Sequence, residues 1–87
     1  MKIKNSETEK QQIFFETSDL ALATVISLYL PIIDIDKQNP RKAIFVLNLN
    51  KDLTELVRKY WNKELRIEPR QYFDQLKALK ARLYGNG

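Results

Sequence analysis

The sequence predicts an α+β domain of order β-α-β-β-α-α: a three-stranded, mainly antiparallel sheet packed against three helices. Three observations predict it. The segments around Leu53 to Trp61 and Tyr72 to Leu83 repeat apolar residues at helical spacing. The neighbouring segments 32–36 and 42–49 have strand composition and are close enough to form a hairpin. Three strands cannot hide both faces of a sheet, so three helices on one face is the simplest packing. The other face is then left to solvent or a partner.

The elements follow in order. Residues 1–12 are polar, of mixed charge and without periodicity, and read as a disordered N-terminal tail. A single domain is expected over 13–84, with a flexible end at 85–87. Residues 13–17, Ile-Phe-Phe-Glu-Thr, are aromatic and apolar enough for a first strand, with Phe14 and Phe15 on opposite faces. Ser18 is expected to cap the first helix, because its hydroxyl can accept from a free first-turn amide. That helix should run on to Pro31, which cannot donate and disfavours helix before it. Its stripe is Leu22, Val25, Ile26 and Tyr29, but Leu20, Ala21, Ala23 and Leu28 cover much of the remainder. A helix apolar nearly all round is buried on more than one side, by its own domain or by a second copy.

Ile33 and Ile35 alternate with Asp34 and Asp36, the signature of a half-buried strand. Residues 37–40, Lys-Gln-Asn-Pro, read as a turn. Segment 42–49 carries apolar side chains on both faces and reads as the central strand. The second helix begins at Asn50 or Asp52, with Asp52 and Glu55 spaced as a capping box. Its stripe is Leu53, Leu56, Val57, Tyr60 and Trp61, which assigns Trp61 to the core. Pro69 suits the first turn of the third helix, whose stripe is Tyr72, Leu76, Leu79 and Leu83.

These stretches resemble a known pattern. "FFETSDLALA", "AIFVLN" and "LVRKYWNKELRIEPRQYFDQLKALKARLY" together resemble a small single-domain family of unknown function from bacteria, archaea and their viruses. The resemblance spans about residues 13–84, and its last-helix motif is the more specific part. In that pattern a glycine often follows the first helix, where this chain has Leu30-Pro31. The resemblance implies a compact single α/β domain, and a viral or mobile-element accessory protein is expected. It implies no activity, so it supplies no catalytic residues.

Composition removes several chemistries. The chain has no cysteine and no histidine, so Ser-His and Cys-His nucleophile pairs and His or thiolate metal sites are excluded. Its two glycines stand at Gly85 and Gly87, so no glycine-rich phosphate loop exists. Residues 1–12 lack the apolar segment of a secretory signal, and the apolar run 20–33 is too short and interrupted to span a bilayer. A cytoplasmic, non-enzymatic protein is expected, with no cofactor, small-molecule substrate or membrane partner. Glu16, Asp19, Asp34 and Asp36 are the one acidic constellation. Assembled, they would offer oxygen ligands for Mg²⁺. The favoured reading is that Asp34 and Asp36 face solvent and protect a sheet edge, so no metal site is expected.

Charge carries the rest. The formal net charge is +4, with a balance of −2 over residues 1–40 and +6 over 41–87. No acid follows Asp74, while Lys77, Lys80 and Arg82 remain. Such asymmetry points to an anionic partner. Phe73, Lys77, Lys80 and Tyr84 fall on one edge of the third helix, where aromatics can stack on bases and ammonium groups can meet phosphates. The plainer account is that Phe73 widens the apolar stripe and the lysines border it. The expected binding residues are Arg66, Arg70, Lys77, Lys80 and Arg82, with Arg58, Lys59 and Lys63 as a second patch. DNA or RNA is the expected partner. The alternative is a protein-interaction module, a homodimer formed through the first helix and the open sheet face.

Overall fold

The computed structural model describes residues 13–39 and 41–85. Six elements appear in the expected order: β1 (Phe14–Thr17), α1 (Leu20–Ser27), β2 (Ile32–Asp36), β3 (Ile44–Asn48), α2 (Lys51–Trp61) and α3 (Pro69–Tyr84). The tail expected at 1–12 and the end expected at 86–87 lie outside the described residues.

The apolar strand β3 is central, and the sheet order is β1-β3-β2 with both pairs antiparallel. Its alternation sends Phe45 and Leu47 into the core, where each is almost fully buried. Phe15 lies opposite Leu47 and Thr17 opposite Phe45, so they share that face. The β2 register departs from simple alternation. Ile32 pairs with Leu47 and Asp34 with Val46, so two residues of β2 meet one of β3 across a bulge. Ile32 and Ile35 therefore face the core, while Ile33, expected beside Ile35, is exposed.

The helices lie on the Phe45–Leu47 side. Leu22, Ala23 and Ile26 of α1, Leu53 of α2 and Leu79 of α3 join those two residues in one cluster. Five consecutive residues of α1, Leu22 to Ile26, are buried. The helix packs against α2, α3 and β1 at once. Its all-round apolar character is thus satisfied by its own domain. Buried Thr24 is accommodated because its hydroxyl donates to the Leu20 carbonyl at 2.7 Å. Where α3 crosses α1, Gln75 Nε2 donates to Ser27 Oγ at 2.9 Å.

The helix ends correct the expected caps. Asp19, not Ser18, caps α1, its carboxylate accepting from the Leu22 amide at 3.1 Å. Thr17 Oγ1 accepts from the Asp19 amide at 3.0 Å and sets that geometry. Helix α1 stops at Ser27 rather than at Pro31, closed by the tight bonds from Tyr29 and Leu30 amides to the Ile26 carbonyl. Tyr29 consequently leaves the stripe and is exposed. Of the two expected starts, Asn50 is the one that caps α2, through the Leu53 amide at 2.8 Å, in place of the Asp52–Glu55 box. Glu68 caps α3 ahead of Pro69. No helix among the described residues is long and apolar enough to cross a membrane.

Candidate nucleic-acid interface

The basic residues separate into groups according to what surrounds them. Arg58 stands in the last turn of α2 between two carboxylates. Its guanidinium meets Glu55 at 2.6 Å and Glu64 at 3.5 Å. That hydrogen bond and charge lower the Glu55 pKa, and Glu55 in turn raises that of Arg58. Lys59 lines an open groove of about 470 Å³ together with Asp52 and Glu55, beneath Tyr29, Leu30, Leu56 and Leu65. The cations on this side of α2 are therefore offset by acids, and a phosphate would meet a near-neutral surface.

Lys63 and Arg66 are exposed on the connection from α2 to α3. Lys63 has φ 62°, the left-handed position that ends many helices. The Glu64 amide donates to the Lys59 carbonyl at 2.9 Å and closes that end. Trp61, expected in the core, is instead 61% exposed and meets Tyr60 edge-on at 5.0 Å. At about 100° per residue, position 61 lies roughly 80° from Leu53, at the outer edge of the stripe. Tyr60 stays half-buried, and burial pushes its phenol above the ordinary range, with Asp19 and Tyr72 adding to the effect.

Helix α3 presents a different surface. At about 100° per residue, Arg70, Phe73, Lys77, Lys80 and Tyr84 fall within one sector of roughly 80°. All five are exposed, Phe73 to 57% and Tyr84 to 79%. The plainer account of Phe73, as a widening of the core stripe, does not hold. Leu79 and Leu83 pack the core, and Tyr72 and Leu76 are half-buried. Among the described residues no carboxylate lies within ion-pair distance of Arg70, Lys77 or Lys80. Asp74 flanks the stripe as its one acidic neighbour on the helix.

Arg82 does not belong to this stripe. The helical step turns it roughly 150° from Lys77 and Lys80. It lines a small hollow with Asp34, Ile35 and Lys37. Lys37 and Arg41 are not among the residues expected from the sequence, yet the β2–β3 turn carries both to the end of α3. With Asn39, Ala43, Leu83 and Tyr84 they line a cleft of about 370 Å³. No acid lines it. Lys37 Nζ donates to the Arg82 carbonyl at 2.8 Å, which offsets the negative end of the α3 dipole. The basic run Lys37, Arg41 and Lys42 around a turn was the signal available in the sequence.

Among the described residues, Glu16, Asp19, Asp34 and Asp36 do not converge. Asp19 is engaged at the start of α1. Glu16 and Asp34 both register with Val46 from opposite sides of β3, which sets their backbones about 10 Å apart. Asp34 Oδ1 accepts from the Ile35 amide and Asp36 Oδ1 from the Gln38 amide. Among the described residues no three acidic groups converge as metal ligands.

No curated protein and no solved structure matches the chain. One family does, that of a domain of unknown function (DUF5659), over residues 12–85. The match takes in every strand and helix described above, and the chain belongs to that family.

Proposed function

We propose that this chain is a small non-enzymatic accessory protein that binds single-stranded nucleic acid along the outer stripe of α3. The observation that carries the reading is the run Arg70, Phe73, Lys77, Lys80 and Tyr84, exposed together and continued by the Lys37–Arg41 cleft at Tyr84. Cations along such a stripe meet successive phosphates, and exposed aromatic faces stack on splayed bases. A duplex keeps its bases stacked inside, so the aromatic rings favour a single strand. Arg58 and Lys59 take little part, being offset by Glu55, Glu64 and Asp52. Arg66 and Lys63 extend the positive field beyond the start of α3, and Arg82 adds to it near the hairpin.

Fluorescence polarisation with labelled single-stranded DNA, single-stranded RNA and duplex DNA tests this at two salt concentrations. Binding to single strands should weaken steeply with salt. Replacing Lys77 and Lys80 by alanine should lower the salt slope by about 1.4, at roughly 0.7 for each phosphate no longer neutralised. Replacing Phe73 and Tyr84 by alanine should weaken binding at every salt concentration with little change of slope. Absence of binding to all three probes at low salt refutes the proposal.

A further inference from the structure

The sheet face turned away from the helices is built as a docking surface. Its centre is apolar, from Ile44 and Val46 of β3. Phe14 stands beside it on β1 and Ile33 at the bulge of β2, 47% and 45% exposed. Carboxylates flank this centre on both outer strands: Glu16 on one side, Asp36 and Asp34 on the other, Asp34 also bordering the hollow that Lys37 and Arg82 line. Apolar residues flanked by acids fit a partner that is aromatic and cationic.

The chain itself carries such a surface. On α3, Phe73 and Tyr84 bracket Lys77 and Lys80. From Phe73 to Tyr84 the helix rises about 16 Å. The five-residue strands β2 and β3 are each about 17 Å long. We infer that the open sheet face of one copy receives the α3 stripe of a second copy, in a head-to-tail contact. This differs from the two-fold dimer that small size suggests. Stacking two sheet faces would bring together two surfaces that each carry Glu16, Asp34 and Asp36. Helix α1 offers no alternative, because Leu22 to Ile26 are buried within one chain.

Donor and acceptor patches lie on different faces, so one contact leaves a free patch at each end and assembly continues past the dimer, into open chains or closed rings according to the rotation between copies. The sheet is three strands wide, so the buried area falls at the small end of protein interfaces and the association is weak and reversible. Its electrostatic part is screened by salt. The inference does not rest on nucleic-acid binding, although the same stripe serves both, so a bound strand and a second copy compete.

Sedimentation velocity of the full chain without nucleic acid, from micromolar to sub-millimolar at low salt, is the test. The average mass should climb with concentration and fall when salt is added. Asp34→Lys with Asp36→Lys, and separately Lys77→Glu with Lys80→Glu, should each give a monomer. Mixed together, these two variants retain one good patch each and should form a one-to-one pair that grows no further. Glu16→Lys with Asp36→Lys serves as a second sheet variant if the first loses its circular-dichroism signature. A wild type that stays monomeric, a dimer that does not grow, or assembly that survives the sheet substitutions overturns the inference. So does a mixture that fails to pair. The sheet variants keep the α3 stripe intact, so polarisation with single strands reports on the nucleic-acid reading separately.

Discussion

Lys63 holds a backbone conformation that its side chain disfavours. At φ 62° a β-carbon crowds the following carbonyl, and glycine avoids that cost. The position ends α2 with the Lys63 amide on the Tyr60 carbonyl and the Glu64 amide on the Lys59 carbonyl. Lys63→Gly should therefore stabilise the domain by about 1 kcal/mol, raising the melting temperature by some 4–8 °C. A thermal melt followed by circular dichroism checks this. A lowered melting temperature would mean that the lysine side chain contributes something the backbone argument omits. The next residues back show how local a helical stripe is. Leu56, Val57 and Tyr60 pack against the core as their spacing requires, but Trp61 is already outside it.

At the scale of elements, the junction from β1 into α1 is held by short polar bonds. The Thr17 hydroxyl takes the Asp19 amide, and the Asp19 carboxylate takes the Leu22 amide. Ser18 and Asp19 are both good capping residues, so composition could not choose between them. The strand decides, because β1 ends at Thr17 and its exit direction places residue 19 at the first turn. Asp19→Ala should cost about 1 kcal/mol, and Ser18→Ala should cost much less. Urea denaturation of both variants separates the two positions; equal losses would return the cap to Ser18. The bulge in β2 is a second case. Alternation of Ile and Asp was visible over 33–36, but the extra residue appears only when β2 is laid against β3. Protection of that edge by Asp34, Asp36 and the bulge matches what an exposed outer strand needs.

For the whole molecule, stability rests on a small cluster around α1. Leu79 is 1% exposed and touches a core shared by all three helices and the sheet. Leu79→Ala should cost between about 2 and 5 kcal/mol, a large part of what a domain of this size possesses. Trp61→Ala should change stability by less than about 0.5 kcal/mol despite the larger side chain. Chemical denaturation of both variants checks the contrast, and a severe loss for Trp61→Ala would contradict its exposed position.

The sequence by itself determined the element order, the central place of 44–48, and the inward stripes of α2 and α3. These follow from periodicity and turn chemistry, which act over a few residues and leave their mark in the chain. It also determined that His and Cys chemistry is absent and that the second half is basic. Only the tertiary structure decided which basic residues lie together. Arg58 and Lys59 stand among Glu55, Glu64 and Asp52, Arg82 turns away from Lys77 and Lys80, and Lys37 and Arg41 arrive at Tyr84 from a distant turn. It likewise decided that α1 is enclosed by its own chain and that Phe14, Ile33 and three acids share the uncovered face. The physical reason is range. Helical and strand spacing is set by neighbours along the chain, whereas the field at a charge and the covering of a face depend on groups dozens of residues away.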